Sequence, residues 1–186
     1  MTEAPVLPAP GGRIDTEIEF QPVQIAVLTV SDTRTLDTDT SGALLAERVE
    51  AAGHSCVARK IVTDDIAAIQ ASFQAWIDDP AVDVILSTGG TGLTGRDVTV
   101  EAASPLFEKR IDGFETVWHM VSYESVGLST LQSRACGGIA KGTIIFCLPG
   151  SNGACKDGWD KIIRWQLDLR HKPCNLVELM PRLTEV

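Results

Sequence analysis

The segment Gln24-Ile25-Ala26-Val27-Leu28-Thr29-Val30, followed at once by Ser31-Asp32-Thr33-Arg34, decides the architecture of this chain. A short, nearly continuous apolar run that stops in polar loop chemistry is the pattern of a strand buried on both faces. Beyond the loop, Thr40 or Ser41 can cap a helix that carries Leu45, Val49 and Ala52 on one face and is stopped by Gly53. His54 to Val62 reads as a second strand. Asp64 or Asp65 can cap a further helix, with Ile66, Ile69, Phe73 and Ile77 on one face, and Val82 to Ser87 reads as a third strand. Strand, helix, strand, helix, strand predicts parallel pairing through right-handed crossovers, and hence a layered α/β sheet.

Towards the C-terminus, a helix is expected from about Val98, limited by Pro105, and another from about Gly113 to Tyr123, where Phe114, Val117, Trp118 and Val121 share a face. Gly137-Gly138 and Gly142 read as turns in a hairpin or loop. Thr143 to Leu148 is another buried strand, and Ala154 to Leu169 a helix that follows the turn Pro149-Gly150-Ser151-Asn152-Gly153. Residues 1–22, with four of the nine prolines and Gly11-Gly12, are expected to form an arm, flexible or pinned on the surface. Residues 23–186 read as a single domain, in keeping with a chain of 186 residues against roughly 150 per domain.

Composition narrows the function. A net charge of −9 disfavours nucleic acid as the main partner, because phosphate neutralisation supplies most of the affinity of a duplex-binding domain. A small anionic ligand stays open, since backbone N–H groups can hold it within an acidic protein. No apolar run approaches the ~18 residues of a membrane span, and the first residues lack the basic start and apolar stretch of a signal peptide. Five cysteines without a C-x-x-C predict neither a disulfide framework nor a zinc ribbon, so the expected compartment is the reducing cytoplasm.

In an open α/β sheet, ligands bind beyond the carboxyl ends of the parallel strands. Ser31-Asp32-Thr33-Arg34, Thr63-Asp64-Asp65, Ser87-Thr88-Gly89-Gly90-Thr91-Gly92 and Pro149-Gly150-Ser151-Asn152-Gly153 all leave strand ends, so they are expected on one rim. Gly89, Gly90 and Gly92 permit positive φ and close approach of a ligand to the backbone, where successive N–H groups can converge on a phosphate. A tight strand-to-helix turn is the plainer reading. The run Gly90-x-x-x-x-Gly95 is followed by Arg96-Asp97 and so is not a Walker loop. Asp97 beside a phosphate cradle points to Mg²⁺, held by one or two carboxylates and bridging phosphate oxygens, although an Asp also favours a helix N-terminus. One of Asp64 and Asp65 is expected to be only a cap. Asp32 and Ser31 can form an Asx turn or contact a ligand, and Ser133-Arg134 can orient a phosphate or a polar ring. No Ser-His-Asp or Cys-His set is apparent.

Together these blocks resemble a known family. Val30-Ser31-Asp32, Thr38-Asp39-Thr40-Ser41-Gly42, Ile61-Val62-Thr63-Asp64-Asp65, Ser87 to Thr99, Asp112-Gly113-Phe114, Gln132-Ser133-Arg134 and Leu148-Pro149-Gly150-Ser151 follow one another as in the molybdopterin-binding MogA/MoaB proteins of molybdenum cofactor biosynthesis. The resemblance covers about residues 22–183. Ala154-Cys155, Trp159 and Lys172-Pro173-Cys174-Asn175 look like the MoaB branch, and Cys147 stands where the MogA branch commonly has Asn. The resemblance implies a three-layer α/β/α sandwich with a mostly parallel sheet and a homotrimer or homohexamer. It also implies molybdopterin adenylyltransferase activity: Mg²⁺ with ATP as co-substrate, molybdopterin as substrate, pyrophosphate released. On this pattern Asp64 and Asp97 serve catalysis and the metal, and Gly89, Gly90, Thr91 and Gly92 hold phosphate or pterin groups. Ser31, Asp32, Ser133, Pro149, Gly150 and Ser151 shape the molybdopterin side. A non-catalytic molybdopterin carrier or assembly protein is the alternative, and a downstream molybdenum-insertion protein is an implied partner.

Overall fold

In chain order the strands are β1 (Arg13–Ile14), β2 (Gln24–Val30), β3 (Ser55–Val62), β4 (Val84–Thr88), β5 (Lys109–Arg110), β6 (Cys136–Ala140), β7 (Thr143–Leu148) and β8 (His171–Lys172). The helices are α1 (Thr40–Ala51), α2 (Ile66–Ile77), α3 (Thr99–Ala103), α4 (Asp112–Val126), α5 (Asn152–Gly158) and α6 (Arg164–Gln166). These elements come from a computed structural model, which describes residues 11–185.

Six strands form one sheet in the order β3-β2-β4-β7-β6-β5. β3, β2, β4 and β7 are parallel, and β6 and β5 add an antiparallel edge. Side chains alternate along a strand, so each buried strand feeds two cores. Ile25 and Val27 of β2 pack with Leu45 and Val49 of α1, Trp118 of α4 and Trp159 on one face. Ala26, Leu28 and Val30 pack with Ile69, Phe73 and Ile77 of α2 and with Ala102 and Ala103 of α3 on the other. The chain is therefore a three-layer α/β/α sandwich with a mostly parallel sheet.

Three local expectations are corrected. The cap of α1 is Asp39 rather than Thr40 or Ser41; its carboxylate accepts the Gly42 N–H at 2.9 Å. Gly137 and Gly138 lie inside β6 and make no turn, because a side chain at Gly138 would run into the ring of Phe107. The hairpin turn is Lys141-Gly142, where both residues have positive φ. Finally, the helix expected from Ala154 to Leu169 is broken into α5, a π-helical turn at Trp159–Ile163 and α6, ending at Gln166. Asp65, not Asp64, caps α2, accepting the Ala68 N–H at 2.9 Å, and this leaves the Asp64 side chain uncommitted to the helix.

Of the expected arm, residues 1–10 lie outside the described residues. Arg13 and Ile14 pair antiparallel with Lys172 and His171, and Phe20 packs against His54 with its ring tilted by 46° and lies under the Arg170 guanidinium. Three of the five cysteines (Cys136, Cys147 and Cys155) are buried as free thiols, Cys56 is half-buried and Cys174 exposed. No helix among the described residues is long and apolar enough to cross a membrane.

Candidate functional site

A cavity of about 440 Å³ opens beyond the carboxyl ends of β2, β4 and β7. Ser31, Asp64, Gly89, Gly90, Thr91, Gly92, Asp97, Ser133, Pro149, Gly150 and Ser151 line it. Every residue that the family pattern assigned to catalysis or binding is thus brought together except Asp32. The Asp32 carboxylate stands outside the lining: it accepts the Asp64 N–H at 3.1 Å through one oxygen and pairs with Arg96 through the other.

The glycine turn is shaped by its neighbours. Gly89 and Gly90 have φ of 99° and 63°, conformations that L side chains rarely adopt. A Cβ at Gly89 would collide with the Val30 carbonyl, and one at Gly90 with the Thr99 hydroxyl while lying 2.9 Å from Asp64 Oδ1. A Cβ at Gly92 would lie 2.7 Å from Asp97 Oδ2. The two carboxylates therefore reach the same turn, Asp64 at Gly90 and Asp97 at Gly92. Gly150 packs so closely on Gly89 that its Cβ would come within 3.1 Å of the Gly89 Cα, and this brings the Pro149-Gly150-Ser151 loop against the turn.

The environments of the two acids differ. Asp97 Oδ2 accepts the Thr94 hydroxyl at 2.6 Å and the Thr94 N–H at 2.9 Å. The Thr94 hydroxyl bond, with help from the N–H groups of Thr94 and Gly92, holds the Asp97 carboxyl below its usual pKa. Asp64 is shifted the other way, first by burial and then by the charge of Asp32, with Asp97 adding in the same sense. Two carboxylates at one cavity suit Mg²⁺, which takes one or two protein carboxylates and completes its shell with water and phosphate oxygens. Among the described residues no cluster of three or more His, Cys, Asp or Glu side chains is placed to bind a metal without such outside ligands.

The cavity also holds residues without an assigned role from the sequence: Thr29, Val30, Ser41 and Gln132, together with Arg34 and Thr88 from stretches expected on the rim. Arg34 is the one cationic side chain among the described lining residues. It belongs to the same strand-end loop as Ser31, which the sequence placed on the rim. Gln132 adjoins Ser133 in a block that the sequence had already marked. Thr88, in a block expected on the rim, donates to the Pro149 carbonyl at 3.1 Å; Thr29 lies inside β2, gave no such signal, and donates to the buried Asp39 carboxylate at 2.8 Å. The Thr91 hydroxyl is buried in the wall without a partner among the described residues. Arg134, read as a phosphate contact, points instead at the back of the glycine turn. Its Nε donates to the carbonyls of Thr91 and Gly92 at 3.0 Å each.

A doubly wound sheet whose strand ends carry a glycine turn, two carboxylates and a ring of hydroxyls defines the class of α/β proteins with a polar strand-end site suited to a small anionic molecule. Comparison with known proteins gives that class a family. A family model described as a probable molybdopterin binding domain matches residues 26–169. Molybdenum cofactor biosynthesis protein B of Escherichia coli K12 is 49% identical over 157 residues, covering 84% of this chain and 92% of that protein. Its Bacillus subtilis namesake is 45% identical over 142 residues, covering 76% of this chain and 84% of that protein. Among solved structures, the tungsten cofactor synthesizing protein MoaB from Pyrococcus furiosus superposes with a TM-score of 0.70 at 32% identity, covering 89% of this chain and 99% of that one. The chain belongs to the MoaB/MogA family of molybdenum cofactor biosynthesis proteins.

Proposed function

We propose that this protein transfers the adenylyl group of ATP to molybdopterin. A molybdopterin phosphate oxygen attacks the α-phosphorus of ATP, the bond from that phosphorus to the bridging oxygen breaks, and pyrophosphate leaves with the electron pair. No protein nucleophile is needed, and catalysis by positioning and charge neutralisation suits a site without a covalent catalytic set. The observation that carries this reading is the approach of Asp64 and Asp97 to one glycine turn in one cavity. Mg²⁺, when bound there, neutralises phosphate charge. Asp64 and Asp97 hold it, Gly89 to Gly92 present backbone to the anion, and Ser31, Ser133, Pro149, Gly150 and Ser151 shape the pterin side. Asp32 acts on Asp64 from outside the cavity.

The protein works in the cytoplasm on small molecules, not on nucleic acid or membrane, and hands its product to a molybdenum-insertion protein. It does so as a homotrimer or homohexamer. In support of self-association, Val117, Met120, Tyr123 and Val126 of α4 and Leu128 and Leu131 in the turn after it are large apolar side chains left exposed.

A second reading, a molybdopterin carrier or assembly protein without turnover, is favoured by one observation: Asp97 Oδ2 is already engaged by Thr94. Incubation with ATP, Mg²⁺ and molybdopterin separates the two. Pyrophosphate and adenylylated pterin support the transferase; saturable pterin binding without either supports the carrier.

A further inference from the structure

All four carbonyls of the turn Gly89-Gly90-Thr91-Gly92 are held by two residues that stand behind it. Thr99, the first residue of α3, takes the first two: its hydroxyl donates to the Gly89 carbonyl at 2.8 Å and its N–H to the Gly90 carbonyl at 2.9 Å. Arg134, just ahead of β6, takes the other two through Nε, at 3.0 Å each, and its Nη2 reaches on to the Asp97 carbonyl at 3.1 Å. Thr99 is fully buried, and neither Thr99 nor Arg134 lines the cavity. Glu101, two residues along α3 from Thr99, pairs with the Arg134 guanidinium through both carboxylate oxygens. One short helix thus anchors both halves of the arrangement.

The C=O and N–H of a trans peptide point in opposite directions. Each carbonyl so held turns the next N–H away from its donor, those of Gly90 and Thr91 away from Thr99 and those of Gly92 and Leu93 away from the Arg134 guanidinium. The Gly92 N–H meets the Asp97 carboxylate. Those of Gly90 and Thr91 belong to residues that line the cavity, and so does the buried Thr91 hydroxyl, which has no partner among the described residues.

We propose that Thr99 and Arg134 are positioning residues that clamp the carbonyls of the glycine turn and so aim the N–H groups of Gly90 and Thr91 at a phosphate group of the bound ligand. The inference rests on the reading of this cavity as an anion site. A planar fork that reaches several acceptors at once is a property of arginine that lysine lacks, and a hydroxyl donor is what serine shares with threonine and valine does not.

The test uses the full chain, inorganic pyrophosphate with Mg²⁺ as probe, and ¹⁵N order parameters of the Gly90 and Thr91 amides as a readout independent of activity. Thr99→Val and Arg134→Lys are expected to lower those order parameters from the rigid range near ~0.85 towards ~0.6. They should weaken pyrophosphate binding about tenfold, the scale of a lost charge-assisted or buried hydrogen bond. Thr99→Ser should behave as wild type in both readouts, and Glu101→Gln should give a smaller loss. Unchanged order parameters and affinity in both Thr99→Val and Arg134→Lys would overturn the clamp. So would a loosened turn that binds pyrophosphate as tightly as before. Failure of the wild-type chain to bind pyrophosphate, with the turn loosened as expected in the variants, would instead overturn the anion reading on which the aim of the clamp depends.

Discussion

Asp32 holds Asp64 by its backbone. One carboxylate oxygen of Asp32 accepts the Asp64 N–H at 3.1 Å, and the other is gripped by Arg96, whose Nε lies at 3.1 Å. The Arg96 bond keeps the Asp32 carboxyl below its usual pKa, so Asp32 stays charged beside an Asp64 whose own pKa is raised. The arrangement ties the loop after β2, the loop after β3 and the segment after the glycine turn into one rim. Asp32→Ala is expected to slow adenylyl transfer about tenfold, the scale of lost hydrogen bonds to a charged group. Asp32→Asn, which keeps an acceptor for the Asp64 N–H, should lose less. Initial rates of pyrophosphate release check this, and equal rates for wild type and Asp32→Ala would remove the positioning role.

Gly90→Ala should damage fold and site together. Its φ of 63° is costly for alanine, and the added methyl would press on the Thr99 hydroxyl and on Asp64 Oδ1. The expected loss is about 1–3 kcal/mol of stability, with ligand binding abolished. Gly95→Ala is the control, because a Cβ there meets nothing within 4 Å. Urea unfolding of the two variants should show a lowered midpoint only for Gly90→Ala.

Acid should weaken the fold through His54. The ring is buried, its Nδ1 accepts the Val23 N–H at 3.2 Å, and burial lowers its pKa from 6.5. The unfolded chain therefore binds a proton that the folded chain refuses. The His54 contribution is fully present above about pH 6.5 and is lost as pH falls from there towards the folded-state pKa. The drop in unfolding midpoint between pH 7.5 and pH 5.5 should be smaller in His54→Gln than in wild type. An identical drop in both proteins would rule His54 out.

Charged residues on the apolar face of α4 and of the turn after it should break self-association. Met120 and Leu131 are 65% and 70% exposed in the single chain, far more than large apolar residues need be without a covering surface. The double variant Met120→Glu, Leu131→Glu is expected to run as a monomer in light scattering while the wild type runs as a trimer or hexamer. A monomeric wild type would contradict the proposed assembly.

Much of this was legible in the sequence, for physical reasons that also explain the exceptions. The runs Gln24–Val30 and Thr143–Leu148 gave two strands to the residue, because a strand buried on both faces has an unbroken apolar signature. Gly137 and Gly138 misled: glycine in a strand that another ring must cross looks, in sequence, the same as glycine in a turn. The π turn at Trp159–Ile163 left no periodic mark, since one extra residue in a helical register does not disturb its composition. At the site, the strand-end rule located the rim, but it could not say which way a side chain turns. Asp32 and Arg134 sit in the expected loops and face away from the cavity, each holding another part of the rim. Hydrogen bonds formed across 32 and 43 residues of chain are set by packing and have no local pattern.

The most direct measurement is a product assay with the wild-type chain, Asp64→Asn and Asp97→Asn, each incubated with ATP, Mg²⁺ and molybdopterin. Asparagine keeps the size of the side chain and, at position 97, an acceptor for Thr94, so all three proteins should unfold within a few degrees of one another. The account predicts pyrophosphate and adenylylated molybdopterin from the wild type, and rates lower by roughly 10²–10³ in either variant, the loss typical of removing one electrostatic contact to a transition state. No product from a wild-type chain that binds molybdopterin, under conditions in which an active homologue turns over, would contradict it.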